Sequence, residues 1–150
     1  MKSKRFEPIW DIVANSAQDL RQLMADAERR VAEIETHLAQ LQAFREDYLN
    51  KAAHAGGLMD TVRLQNNRAF LERLAEAVRV QLQKLGTARA EYEARRKQWS
   101  EKRIEAEVLG QAVERFRQDE RQVADRRDQQ EVDETGLRVW LAARGSGDRG

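Results

Sequence analysis

The sequence contains no cysteine. That excludes disulfide frameworks, cysteine zinc sites and thiol nucleophiles together, and it fits a reducing compartment, so the expected location is the cytoplasm. Proline occurs once and aromatic residues make up 6% of the chain, which argues against a compact globular core. Charge of neither sign dominates: 27 Lys and Arg stand against 26 Asp and Glu, for a net charge of +1. No overall field therefore draws the chain to nucleic acid or anionic lipid, and any such binding would be local. Nor does any stretch approach the ~20 consecutive apolar residues that span a bilayer, so direct membrane insertion is not expected. The basic start Met1-Lys2-Ser3-Lys4-Arg5 runs into Phe6 to Trp10 and then Asp11, without the apolar run of a signal peptide.

What is present is helix-forming. Charged residues make up 35% of the 150, in a vocabulary rich in Ala, Glu, Arg, Gln and Leu, the composition of coiled coils. Pro8 suits the first turn of a helix, where its missing N–H has no intrahelical partner. From Val13 the apolar residues recur in steps of four and three: Val13, Ala17, Leu20, Met24, Ala27, Val31, Ile34, Leu38, Leu41, Arg45, Tyr48. All are apolar but Arg45, a sustained a/d seam. The pattern stops at Ala52-Ala53-His54-Ala55-Gly56-Gly57, where the glycine pair permits a chain reversal, and Asp60 can cap the next helix. A second seam runs Leu71, Leu74, Val78, Gln81, Leu85, Ala88, Tyr92, Arg95, Trp99, Lys102, Ala106, Leu109, Val113, Phe116, Glu120, Val123. Its polar members are Gln81, Arg95, Lys102 and Glu120.

The expected fold is all-α, an antiparallel two-helix coiled-coil hairpin with a longer second helix, in a single domain spanning the chain. Helix 1 is expected over about 8–53, the turn over 54–60, helix 2 over about 61–135, and a disordered tail over about 144–150. Reversal at Gly56-Gly57 sets Leu20 near Tyr92 and Val13 near Trp99, so the first helix runs out of partner and residues beyond Lys102 project past the pair. Their heptads continue through Leu109, Val113, Phe116 and Val123, a seam with no intrachain partner and hence a candidate binding surface. Gly86 and Gly110 fall inside the second helix, either as tolerated soft spots or as points of close backbone approach or bending.

Residues for chemistry are sparse. No P-loop, dinucleotide fingerprint or nucleophile elbow is present, because the glycines are isolated or terminal and no strand precedes them. His37 and His54 lack a second ligand at metal spacing, so neither metal nor cofactor is expected. The pairs Glu33-Glu35 and Glu105-Glu107 read as solvated helix faces, since acid–base work needs a concave site that separates two pKa values. An enzyme is not expected. Arg95-Arg96-Lys97 and Lys102-Arg103 could meet phosphates, but Glu93, Glu101 and Glu105 dilute them and no aromatic platform stacks bases. Phe44 sits one residue off the seam position Arg45. Either the core shifts locally to bury it, or an aromatic ring lies on the outer face as a protein-binding anchor.

The order of these features resembles the FliJ family of flagellar type III export proteins. The resemblance rests on Arg5-Phe6 with Ile9, on Leu41 to Leu49 (LQAFREDYL) before the turn, and on Asn67 to Val78 (NRAFLERLAEAV) after it. Gln98-Trp99 and Lys102 match the middle of the family's second helix, and Arg126 to Glu134 (RRDQQEVDE) is similar to its C-terminal motif. Phe44 stands where the family has tyrosine, and Gln130 where it has lysine.

The resemblance implies a non-enzymatic component of the flagellar type III export apparatus, serving flagellum biogenesis and motility. It would be shaped like a rotary-ATPase stalk and bind the export ATPase hexamer, the export-gate membrane protein and substrate-specific export chaperones. It would be cytoplasmic, held peripherally at the cytoplasmic face of the inner membrane. A gate-facing patch is implied on His37, Leu41, Phe44, Tyr48, Phe70, Leu74, Ala77 and Gln81, of which Leu41, Tyr48, Leu74 and Gln81 also belong to the seams. The overhang, with Leu109, Val113, Phe116, Val123, Arg126, Asp128, Gln129, Asp133 and Glu134, would meet the ATPase ring. The alternatives are a structural coiled coil that homodimerises through the overhang, and a helical arm that binds nucleic acid through its arginine clusters.

Overall fold

The computed structural model describes residues 1–54 and 61–147. It consists of α1 (Lys2–His54) and α2 (Thr61–Gly147), of 53 and 87 residues, with no strand among the described residues. The fold is all-α, an antiparallel pair of helices in which the second is the longer. The Gly56-Gly57 reversal, the Asp60 cap and the last three residues of the expected tail lie outside the described residues; Arg144 to Gly147 are helical.

Two compact units make up the chain, Ser16–Lys102 and Met1–Asn15 with Arg103–Gly150. Within Ser16–Lys102, the side chains shielded from water are those of the heptad seams. Ala17, Ala27, Leu38, Leu74, Leu85 and Ala88 are buried, and Leu20, Met24, Val31, Ile34, Leu41, Leu71, Val78, Tyr92 and Trp99 are half-buried. Alanine at Ala17, Ala27 and Ala88 keeps side chains short where the two seams face each other. Arg45, the polar member of the first seam, is exposed.

Within the other unit the seam of α1 continues upstream of where the sequence was expected to start it. Ser3 and Val13 are buried, and Phe6 and Trp10 are half-buried. The steps from Val13 back to Trp10, Phe6 and Ser3 are three, four and three, the same heptad. Phe6 stacks on Phe116 with ring centroids 5.5 Å apart, Trp10 lies against Gly110, and Ser3 bonds Glu120. Pro8 is therefore in the helix interior rather than at its first turn. There it costs about 3 kcal/mol, because its ring meets the carbonyl of Lys4 and supplies no N–H. Half-burial of Phe6 and Trp10 returns about 1 kcal/mol each. The Phe6–Phe116 pair adds about 0.5–1.5 kcal/mol.

These contacts correct the expected register. Trp10 faces Gly110, not the neighbourhood of Lys102, and the paired region runs on to Ser3 and Glu120. Leu109, Val113 and Phe116, expected to project without an intrachain partner, lie inside it: Val113 is 0% exposed, Leu109 is half-buried, and Phe116 carries Phe6 on its face. Gly110 supplies the reason. A Cβ there would stand 3.0 Å from Trp10 Nε1 and 3.1 and 3.2 Å from Cε2 and Cζ2, so the indole sits in the space a side chain would fill. The overhang begins after Glu120, and every side chain from 121 to 146 is exposed.

Glu120 closes the start of α1 from the opposite helix. Its carboxylate accepts bonds from the Ser3 backbone N–H (3.1 Å) and the Ser3 hydroxyl (2.5 Å), satisfying an amide that has no partner within its own helix. The hydroxyl bond, then the amide bond, hold the Glu120 carboxyl below the usual carboxylate range, with the N-terminal ammonium and Lys4 adding smaller attraction. Beside it Arg117 pairs with Glu7, and Lys2 lies 5.7 Å from the centre of the Phe116 ring.

Two expectations follow. At Gly86 an added Cβ meets nothing within 4 Å, so Gly86→Ala stabilises by about 1 kcal/mol through helix propensity. Gly110→Ala gains less than that and Gly110→Leu lowers the melting midpoint, with a change in tryptophan emission that a Trp10→Phe background removes. Glu120 has a lowered folded pKa, so its contribution is fully present above about pH 4.5 and fades as pH falls through the folded value. Protection of the Ser3 amide, measured against its intrinsic exchange rate, should fall on acidification below that point, and Glu120→Ala should lack that protection already at neutral pH.

Candidate protein-interaction surfaces

The implied gate-facing residues fall in the Ser16–Lys102 unit, near the ends of α1 and α2 that adjoin the connection. Phe70 is the centre of a ring cluster: Tyr48 packs on it at 4.6 Å between centroids, and Phe44 meets it edge-on at 6.0 Å. The Tyr48 hydroxyl donates to Asn67 Oδ1, which ties the seam tyrosine across to α2. Phe44 remains 51% exposed, and Arg45 stays on the exposed seam position. The core does not shift to bury Phe44, which lies exposed with its ring against Phe70. The outcome is a ring that meets Phe70 and leaves half its surface to solvent.

The remaining residues of that set divide by burial. Leu74 is buried, Leu41, Ala77 and Gln81 are half-buried, and His37 is exposed. Leu41, Leu74 and Gln81 thus spend much of their surface on the opposite helix. Leu49, next to Tyr48 on α1 but off the seam, and Leu64, one heptad before Leu71 on α2, are also exposed at this end.

The second set lies in the other unit. Val123, 50% exposed, is the first seam residue past the Ser3–Glu120 contact, and Arg126, Asp128, Gln129, Asp133 and Glu134 are exposed beyond it. Local polar pairs support this stretch, among them Gln129 to Asp133 at 3.2 Å and, at its base, Arg121 to Glu114 at 3.0 Å. Such pairs contribute a few tenths of a kcal/mol each, enough to favour helix but not to cover its apolar positions.

The arginine cluster shows little of a phosphate track. Arg95 is half-buried on the seam, Arg96 lies 3.9 Å from Glu93, and the nearby concavity of about 580 Å³ is lined by Glu93 and Glu101 as well as Arg96 and Lys97. All six of its lining residues come from α2, so it is a dent in one helix face. Glu33, Glu35, Glu105 and Glu107 are exposed, and Glu35 pairs with Arg89 at 3.1 Å. Among the described residues no group of three His, Asp or Glu is placed to hold a metal ion, and no helix is long and apolar enough to cross a membrane.

The family model described as the flagellar FliJ protein matches residues 1–145. The chain belongs to the FliJ family. Membership gives it a structural role related to flagellar protein export. No curated protein and no solved structure matches the chain. The family match spans both helices, so it covers the ring cluster and nearly all of the overhang alike.

The ring contacts predict unequal costs. Phe70→Ala removes two ring partners at once and should destabilise the chain by about 1–2 kcal/mol, below the cost at a fully buried site. Phe44→Ala should cost less than half as much, because Phe44 is half exposed and touches one ring; thermal melts of the two variants compare them directly.

Proposed function

We propose that this FliJ-family chain works as a stalk-like coiled coil of the export apparatus, joining the export ATPase hexamer to the export-gate membrane protein. The observation that carries the reading is that α2 outlasts its partner: pairing ends where Glu120 meets Ser3, and the helix continues with every side chain exposed. A helix that extends unpaired is suited to contacting another protein along its length. In this reading the ring-facing residues are Val123, Arg126, Asp128, Gln129, Asp133 and Glu134. Leu109, Val113 and Phe116 serve it indirectly, by holding the base of the extension against α1.

The gate-facing surface in the same reading is built on Phe44 and Phe70, with His37 and the exposed edges of Tyr48, Leu41, Ala77 and Gln81 around them. Leu74, being buried, supports them from beneath. Anchored aromatic rings suit binding because little conformational freedom remains to be lost on contact. Export chaperones are further partners, delivering substrates to the same assembly. The chain itself supplies shape and contact rather than catalysis. It would act in the cytoplasm, held peripherally at the inner face of the membrane by its partners.

The placement of the paired region allows a clean test. A chain truncated after Arg121 keeps Ser3–Glu120, Phe6–Phe116 and Trp10–Gly110, and should retain full helicity of what remains. Mixed with the export ATPase of the same organism, the full chain is expected to promote hexamer formation and ATP turnover, and the truncated chain to do neither. A truncated chain as active as the full one removes the extension from the mechanism; a full chain without effect removes the stalk reading. Separately, Phe44→Ala with Phe70→Ala should abolish gate binding while leaving ATPase stimulation intact, and retained gate binding overturns that assignment.

A further inference from the structure

Just past Glu120 the seam of α2 is poor in apolar residues: its next positions are Val123, Arg127, Gln130 and Glu134. A partner that pairs with this stretch along its heptad therefore finds one apolar position there. The nearest upstream ones are Phe116, Val113 and Leu109, and α1 already packs on that stretch: Phe6 lies on Phe116, Trp10 lies against Gly110, and Val113 is 0% exposed. The first turns of α1 thus occupy the part of the α2 seam that adjoins the extension.

Residues 2–7 are weakly tied to the rest of their own helix. Pro8 supplies no N–H, so the Lys4 carbonyl lacks its donor four residues on, and the helix is held across this point by one bond fewer. Pro8 is also exposed, so its ring adds nothing to the seam, and the pairing gives no reason for a proline there. What fastens residues 2–7 is their contact with α2: Ser3 to Glu120, Glu7 to Arg117, Lys2 near the Phe116 ring, and Phe6 stacked on Phe116. Glu7 and Arg117 are each more than a third exposed and Lys2 is exposed, so water and salt replace those two contacts at little cost. One ring stack and one buried serine remain to hold the segment down. From Trp10 onward the hold is firmer, because the indole fills the space over Gly110.

We propose that residues 2–7 form a strap hinged at Pro8, which when closed covers Val113 and Phe116 and when open releases them to the partner of the extension. The inference rests on the stalk reading, which makes that partner the export ATPase, and it adds a regulation of the same surface. Closed, the strap holds the base of the extension; open, the free seam grows from Val123 alone to Val113, Phe116 and Val123, all on one heptad stripe. Strap and partner compete for that stripe, so whatever holds the strap shut weakens the partner's binding.

The chain has no cysteine, so an introduced thiol reports on one position. Val113→Cys puts a thiol under the strap, and Ala88→Cys puts one at a buried seam position of the Ser16–Lys102 unit. With a small thiol reagent, Val113→Cys should label about tenfold faster than Ala88→Cys, and dilute urea should barely change its rate while raising that of Ala88→Cys steeply, because a local opening exposes little surface. Pro8→Ala should slow the labelling of Val113→Cys by about tenfold or more. The same urea dependence at both positions, or no slowing by Pro8→Ala, overturns the strap. Its use is tested by clamping it: Glu7→Cys with Arg117→Cys, joined by a short bis-maleimide, should promote ATPase hexamer formation several-fold less than the same chain with each thiol capped singly. Equal promotion by the clamped and capped chains overturns the competition. A wild-type chain without effect on the ATPase sinks the stalk reading and the competition with it, whereas the labelling contains no ATPase and judges the strap by itself.

Discussion

Burial along one stripe of each helix is the constraint on which the rest of this structure depends. Two helices have only each other to pack against, so the apolar area removed from water is confined to the seam, and every seam position carries a larger share of stability than it would in a globule. The buried residues Val13, Ala17, Ala27, Leu38, Leu74, Leu85, Ala88 and Val113 are all small or medium in size. The larger seam side chains Phe6, Trp10, Tyr48, Tyr92, Trp99 and Phe116, and Phe70 beside the seam, are half-buried, their outer edges wet. Large rings thus do double duty in a thin structure: one face holds the opposite helix and the other meets solvent or a partner.

That double duty explains which parts were legible in the sequence. The seams from Val13 to Tyr48 and from Leu71 to Glu120 could be read directly, because a heptad that buries one stripe leaves its period in the residue types. What escaped was the upstream continuation through Trp10, Phe6 and Ser3. The chemistry of proline at a first turn places the start of α1 at Pro8, yet tertiary contacts outweigh a local penalty of about 3 kcal/mol when the flanking residues pack. The signal was present in the unbroken three-four-three steps back from Val13. Ser3 is polar, and its place on the seam becomes intelligible only with Glu120 opposite, another polar residue on the other seam. Each looked like a defect alone; together they form the hydrogen-bonded end of the paired region.

Register was less legible than pairing, and it decided which residues are available to partners. Counting back from Gly56-Gly57 assumes that the reversal is centred on the glycines, whereas a heptad pattern tolerates slippage by whole repeats. The contacts that discriminate are those with shape, and Trp10 against Gly110 is the most demanding, because any side chain at 110 would occupy the indole's space. Gly110 costs α2 about 1 kcal/mol of helix propensity, and the close approach it permits is what sets that cost against a gain. The same shift moves Leu109, Val113 and Phe116 from a free surface into the seam and leaves Val123 as the first unpartnered seam residue.

At the candidate sites, position was legible and exposure was not. The proximity of Phe44, Tyr48 and Phe70 to the connection follows from sequence alone, but the edge-on hold of Phe70 on Phe44 depends on how the helices meet, which periodicity does not encode. The far end of α2 shows the converse. There no opposite helix dictates residue type, so composition reports on solvent and partner alone: mixed charge through Glu134 keeps the helix wet, and exposed apolar side chains follow it. Apolar side chains that no opposite helix covers, as Leu137, Val139, Trp140 and Leu141 are here, have no use in holding this hairpin together. They cost solubility unless something covers them.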